Sequence, residues 1–410
     1  MPDTFDVKID NLAYGGDGVG RLPDGKAVFV PYTIPGEVAR VRLWEVKPHF
    51  AQAELMEVLE PSPQRIAPRC SHFGYCGGCH YQHMPYQAQV QAKSAILQEQ
   101  LVRLGRLNEL PPVEIKGASD PWNYRNSMQF HLTREGKLGF QRANSNHTFA
   151  IRECHLPEEP INWLWPQLEV EPLPGLERLS MRMGMDDELM LILECSNPQP
   201  LEFTIEGMPL SIVQHTPAGR LVLAGSDTIY MSVSGRRFRV SSPSFFQVNT
   251  LQAQVMVELL LAQTPLDESM TVLDVYCGVG LFSAFLAPKV KRLVGIEVSP
   301  ESCDDFITNL DEFEHVSVYE ASAEIVLHSV NFRPQIIVMD PPREGLGAQT
   351  VAGILAQEAE YLVYISCDPS TLARDARHLA AAGYKLLQIT LLDMFPHTYH
   401  IESMTIWKKS

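Results

Sequence analysis

The stretch Val272-Leu273-Asp274-Val275-Tyr276-Cys277-Gly278-Val279-Gly280 leaves an apolar strand, turns on glycines and leads into a helical pattern. Glycines at such a turn let the backbone pass close to a ligand. A lone G-x-G pair also occurs in dinucleotide folds and in plain tight turns. Ser283 stands where the third glycine of G-x-G-x-x-G would be, which counts against a dinucleotide site. Working outward, the next apolar run, LVGIEVS, ends at Glu297, where a carboxylate can accept hydrogen bonds from both ribose hydroxyls of a nucleoside. The run IIVM then exits through Asp340-Pro341-Pro342-Arg343-Glu344-Gly345, whose two prolines stiffen the chain and remove two N–H donors. A further run, YLVYIS, ends at Cys367-Asp368-Pro369. Helical stretches separate most of these runs, so residues 241–410 read as α/β, a parallel sheet covered on both faces that binds ligands beyond the carboxyl ends of its strands.

Upstream the pattern differs. Residues 1–60 alternate apolar and polar positions between Gly and Pro turns, including Gly15-Gly16-Asp17-Gly18, and predict a small closed β-barrel. Residues 61–240 predict a mostly β central region, interrupted by a helix over 84–107 with Val90, Ile96, Leu97, Leu101 and Leu104 near helical spacing. Three domains agree with 410 residues, more than one core normally organises.

Composition narrows the class. Hydrophobic residues make up 45% and charged residues 20%, ordinary for a globular protein. No run of about 18 apolar residues marks a membrane span, and MPDTFDVKIDNL lacks the basic start and apolar core of a signal peptide. A cytoplasmic, monomeric protein is the expectation. A net charge of −16 argues by itself against nucleic-acid binding. The charge is uneven, however: residues 61–155 hold eleven Lys/Arg against six Asp/Glu, so phosphate contact is permitted there.

Eight cysteines in such a chain are more readily ligands, nucleophiles or core residues than disulfides. Cys367 leaves a strand at the ligand edge and precedes a helical stretch, whose N-terminus would favour its thiolate. Glu402, in Pro396-His397-Thr398-Tyr399-His400-Ile401-Glu402, reads better as a general base than as part of a metal site. Cys70, Cys76 and Cys79 are spaced C-x5-C-x2-C, and Gly77-Gly78 would let their thiolates converge. With Cys154 or a nearby His they suit zinc or an iron–sulfur cluster, and spacing alone does not choose.

Together FFQVN, DVYCGVG, GIEVS, DPPREG, SCDPSTLARD and HTYHIE, in this order, resemble the RNA uracil-C5 methyltransferases, which modify 23S ribosomal RNA or tRNA position 54. The resemblance extends over nearly the whole chain, since residues 1–60 resemble the RNA-binding TRAM barrel. It implies a Rossmann-like class I methyltransferase domain that uses S-adenosylmethionine, with Cys367 as nucleophile and Glu402 as base. Gln247, Tyr276, Glu297 and Asp340 would line the cofactor pocket, and Asp340 and Gln247 would also reach the uracil. Cys70, Cys76, Cys79 and Cys154 would hold a [4Fe–4S] cluster, and helix 84–107 would pack on the catalytic domain. Leu281 departs from the Asn that some members carry, which removes a polar cofactor contact. The implied chemistry is thiolate addition to uracil C6, methylation of C5, removal of the C5 proton and expulsion of the thiol. The barrel and the cysteine segment favour 23S ribosomal RNA, because many bacterial tRNA enzymes lack both. Two rivals are a cytosine-C5 methyltransferase, for which no suitable second cysteine is evident, and a non-catalytic RNA-binding protein, which intact Cys367 and Glu402 argue against.

Overall fold

The computed structural model describes residues 4–168, 175–201 and 210–410; residues 169–174 and 202–209 of the expected central region lie outside the described residues. Thr4–Leu12, Gly18–Arg21, Ala27–Val30, Phe50–Glu60 and Val38–Val46 close into a five-stranded barrel in that order. Alternation puts Val7, Ile9, Val28, Val30, Val41, Ala51 and Ala53 inside it. Gly15 and Gly16, at φ +111° and +100°, make the first turn in a region that L side chains avoid.

The central region is a seven-stranded sheet running from Gly219–Ala224 to Thr148–Ala150. Its core is separate in part, with Phe130, Leu179, Met181 and Leu193 packed on Ile161 and Leu164. Met190, Ile192 and Val213 on the same sheet instead join the core of the C-terminal region.

The sheet of the C-terminal region has eight strands, in the order Val316–Glu320, Arg292–Glu297, Thr271–Val275, Ile336–Met339, Tyr361–Ser366, Glu402–Lys409, Tyr384–Leu392 and Val113–Lys116. The first five are mutually parallel and Glu402–Lys409 inserts antiparallel. Strand order reverses between Thr271–Val275 and Ile336–Met339, so the crevice outside their carboxyl ends is the topological switch point of a doubly wound fold.

Packing does not follow the linear division at residue 240. Val113–Lys116 pairs with Tyr384–Leu392 at the edge of the eight-stranded sheet. The hairpin Thr228–Val233 and Arg236–Ser241 buries Ile229, Met231, Phe238 and Val240 against C-terminal core residues such as Val272 and Leu293. The helix forms over Tyr86–Arg103, starting after Pro85, and Ile96, Leu97 and Leu101 bury beside Leu372, Ala376 and Leu379 of the C-terminal region. Leu104 falls beyond the last turn and is exposed, unlike its expected inward position. A fully buried ion pair, Lys93 Nζ to Asp393 Oδ1 at 2.7 Å, fastens that helix to the loop before Glu402. Cutting either partner of such a pair costs about 3–5 kcal/mol, because the other charge is left buried. Among the described residues no helix is long and apolar enough to cross a membrane.

Candidate active site

Glu297, Tyr276, Asp340 and Cys367 each stand at or just past the carboxyl end of one of four adjacent strands. At roughly 4.8 Å between strands they form a row about 15 Å long. The row begins at the glycine turn. Gly278 N–H donates to Glu297 Oε2 at 3.0 Å, and Val298 and Ser299 N–H donate to Oε1 at 2.8 and 2.9 Å. A Cβ at Gly278 would stand in open space, at φ +53°; one at Gly280 would strike Leu310. Glycine thus serves approach at the first position and packing at the second. Tyr276 lies in the left-handed region at φ +66°, strained for a tyrosine, and its hydroxyl is 3.5 Å from Thr350 Oγ1. Leu281 is buried in the core and offers no polar group.

At the middle of the row, Gln247 Nε2 donates to Asp340 Oδ2 at 3.4 Å, joining the FFQVN loop to the stiff proline exit. Burial, reinforced by Asp274, pushes the Asp340 carboxyl up to about 7. Asp274 itself is buried and accepts from Ser283 Oγ at 2.6 Å. The serine that replaced the third glycine therefore satisfies a buried carboxyl beneath the turn.

At the far end, Ser366 pairs with Ser403 in antiparallel register, so Cys367 lies opposite Glu402. Glu402 is 5% exposed, and burial together with Asp340 pushes its carboxyl well above the usual range. Cys367 is half-buried, and burial, then Glu402 and Asp340, push its thiol up to about 12 against the pull of Arg343. This reverses the expected helix-dipole effect. Asp368, not Cys367, caps the helix Pro369–Ala381, and its Oδ1 takes the Ser370 and Thr371 N–H groups at 2.8 and 3.0 Å. The exposed amides are thereby used, and three carboxyls surround the thiol.

Several residues here carried no individual sequence signal. Tyr14 of the barrel donates to Asp368 Oδ2 at 2.8 Å, reaching across 354 positions. Arg343 Nη2 meets the His400 ring at 3.1 Å. Gln89 accepts the His397 N–H at 3.0 Å, and His397 stacks on Trp122 with centroids 3.7 Å apart. Only Asp368 was legible, as the Asp-Pro start of a helix.

Cys70, Cys76, Cys79 and Cys154 line one cavity of about 410 Å³ beside the central sheet. Burial pushes all four thiols up, Cys154 to about 12; neighbouring thiols add to this at Cys76, Cys79 and Cys154, and Glu153 adds to it at Cys70. As they stand, no three His, Cys, Asp or Glu side chains among the described residues are drawn into single-ion geometry. The end of this segment touches the catalytic loop, since His80 and Tyr81 N–H both donate to the His397 carbonyl, at 2.8 and 3.0 Å.

The family model of tRNA (uracil-5-)-methyltransferases matches residues 206–410, and that of the TRAM domain matches residues 3–56. Proteins named uncharacterized RNA methyltransferases are similar over their full length. That of Thermosynechococcus vestitus is 33% identical over 98% of this chain and 97% of its own, and that of Halalkalibacterium halodurans is 33% identical over 98% and 96%. The Pyrococcus abyssi tRNA (uracil-54, C5)-methyltransferase, solved with S-adenosyl-L-homocysteine, superposes with a TM-score of 0.73 over 98% of this chain and 100% of that one. At 23% identity it shares the fold. With a doubly wound sheet, a glycine turn held by Glu297 and a closed N-terminal barrel, the chain belongs to the S-adenosylmethionine-dependent RNA uracil-C5 methyltransferase family, in its TRAM-bearing form.

Proposed function

We propose that this protein methylates C5 of a uridine in RNA through a covalent adduct between Cys367 and uracil C6. The observation that carries the reading is the register pairing that puts a half-buried thiol opposite a buried carboxyl, next to the row of cofactor-facing residues. When bound, S-adenosylmethionine supplies the methyl group as a sulfonium electrophile. The glycine turn, the Glu297 carboxylate and the open space at Gly278 fit its nucleoside, with Tyr276 flanking it. Gln247 and Asp340 orient the uracil edge.

Cys367 must release its proton to solvent before it attacks C6, so that Glu402 is still ionised when the C5 proton has to be removed. That addition moves electron density to C5, which takes the methyl group. Glu402 then accepts the C5 proton, and the thiolate leaves. Burial and Asp340 make the ionised Glu402 a strong base, suited to a carbon acid. The uracil must leave its stack to reach this row, at a cost of a few kcal/mol.

Cys70, Cys76, Cys79 and Cys154 would hold a [4Fe–4S] cluster as a structural tie. The donor set is all sulfur. Four thiols ringed round a shared cavity suit a polynuclear centre, whose cysteines bind separate irons. Zinc is the second reading of the same four thiols.

As acceptor, 23S ribosomal RNA is favoured by the barrel and the cysteine segment, which many bacterial tRNA enzymes of the family lack. tRNA uridine-54 is the second reading, favoured by the full-length likeness to the P. abyssi protein. Labelled S-adenosylmethionine with ribosomal RNA and tRNA as separate acceptors tests both, and 5-methyluridine is the expected product. Formation of 5-methylcytosine, or no transfer to either RNA, overturns the reading. Glu402→Gln should accumulate a methylated RNA–protein adduct that survives denaturation; normal turnover by this variant removes Glu402 as the base.

A further inference from the structure

A cavity of about 300 Å³ lies where the barrel, the cysteine segment and the catalytic loop meet. Its walls come from five separate parts of the chain: Gly16 and Asp17 in the first barrel turn, Tyr32 in a later barrel loop, His80 beyond the last clustered cysteine, Asn144 in a central hairpin turn and Tyr399 three residues before Glu402. The volume is at the low end for small-ligand pockets, about 300–1,000 Å³.

Three observations give this cavity a recognition chemistry. Tyr32 and Asn144 are held at φ +63° and +53°, where tyrosine in particular is rarely found, so the backbone sets the direction in which each side chain leaves it. Nδ1 of His80 is buried without a hydrogen-bond partner. The barrel turn closes directly on His80: a Cβ at Gly16 would come within 3.1 Å of its Cβ. The ligand surface therefore pairs aromatic rings with fixed donors and acceptors, which is how proteins hold an unstacked base.

Its position relates it to the reaction. The Tyr399 ring meets His80 at 4.6 Å, His400 at 4.4 Å and Tyr14 at 5.8 Å. Tyr14 in turn donates to Asp368, the neighbour of Cys367. Tyr399, Tyr14 and Asp368 thus form a chain of contacts from the cavity wall to the residue next to the thiol.

Resting on the RNA-methylating reading above, the geometry points to this cavity as a second nucleobase pocket, which takes a base flanking the target uridine and prefers one with an exocyclic amino group. The amino preference comes from Asp17. Once ionised, above the value of about 6 to which burial raises it, its carboxylate accepts hydrogen bonds and donates none; an exocyclic amino group of adenine, guanine or cytosine can donate to it, whereas uracil offers only an N3–H flanked by two carbonyl oxygens that face a carboxylate unfavourably. Tyr32 supplies a stacking face, and the exposed Asn144 amide can match the rest of the edge.

The test measures binding of fluorescein-labelled decanucleotides by anisotropy, with S-adenosylhomocysteine present. One decamer is oligo(A) with a single central uridine, and the other is oligo(U). The wild-type protein should bind the adenine-flanked decamer about tenfold more tightly, the effect of one hydrogen bond to a charged group. Asp17→Asn should reduce that preference below about threefold and leave oligo(U) binding within twofold. Asn144→Ala, on the opposite wall, should lower the preference in the same direction. Tyr32→Ala should weaken both decamers by about fivefold or more through lost stacking. Thermal melting of each variant checks folding. Equal wild-type binding of the two decamers, or an unchanged preference in both folded Asp17→Asn and Asn144→Ala, overturns the pocket. Binding needs no turnover, so that outcome leaves uracil methylation standing, and failed methyl transfer would sink the reaction without altering the binding result.

Discussion

Two thiol sites in this protein start from the same side chain and end in different chemistry. At both, burial raises the thiol, Cys367 to about 12 and Cys154 to about 12. What differs is the company. Around Cys367 stand the carboxyls of Glu402, Asp340 and Asp368 with one cation, Arg343. Around Cys154 the Leu156 backbone N–H pulls the thiol down, Cys70 and Cys76 push it up, and Arg125 is a minor influence. A thiol among carboxyls can give up its proton and take it up again. Several buried thiols round one cavity are relieved together by a centre that binds sulfur as thiolate. Burial therefore does not identify a cysteine's role; the neighbours do.

The largest effect should come from removing one member of each set. Cys367→Ala should cut methyl transfer by on the order of 10⁴-fold or more, while calorimetric S-adenosylhomocysteine binding and iron content stay within twofold of wild type. Cys79→Ser should do the reverse in the first instance: iron is lost and Tm falls by at least about 5 °C, as expected when a structural metal centre is removed. If Cys367→Ala also loses its iron, the two sites are not separable and the contrast fails.

Reactivity sharpens the comparison next. With the thiol near 12, the thiolate fraction at pH 8 is on the order of 10⁻⁴, against about a quarter for a free cysteine. Peptide mapping after iodoacetamide should find Cys367 of the free enzyme alkylated at least about 100-fold more slowly than a model thiol, with the rate still rising above pH 10. Glu402→Gln removes one of the carboxyls that hold the thiol up, so it should speed alkylation. A plateau below pH 9 in the wild type would contradict the carboxyl-dominated environment.

The smallest effect concerns stability. Asp340 is raised from an ordinary carboxylate to about 7 by burial and Asp274, so between pH 4 and 7 the folded chain holds a proton that the unfolded chain gives up. Its stabilising contribution is complete below about pH 4 and is lost as pH rises through about 7. Asp340→Asn has no proton to lose. It should melt roughly 1–3 °C above wild type at pH 8 and show no gain at pH 4. A gain that is the same at both pH values would show that burial of the charge is not its origin.

Much of the site was legible because its residues sit at strand ends. A parallel strand is read from its apolar run, and the residue after it must face the ligand crevice; Glu297, Asp340 and Cys367 are all of this kind. Glu402 was legible as a candidate base, and the resemblance paired it with Cys367; the antiparallel strand inserted from the C-terminus that sets it opposite Cys367 was not legible. The reversed electrostatics of Cys367 were not legible either. The helix was anticipated correctly, yet one residue, Asp368, takes its N-terminal amides, and the other carboxyls arrive from strands far off in sequence.

The sequence by itself determined the order of elements, the barrel, the doubly wound sheet and which side chains stand at its carboxyl edge, because apolar periodicity and turn residues act over short spans of chain. Only the tertiary structure decided how those pieces share cores. It moved Val113–Lys116 and the hairpin Thr228–Ser241 onto the catalytic side, buried Lys93 against Asp393 and laid the barrel's Tyr14 on Asp368. Such contacts join residues up to 354 positions apart. No local preference records them, because they exist only once separate apolar faces have been buried against one another.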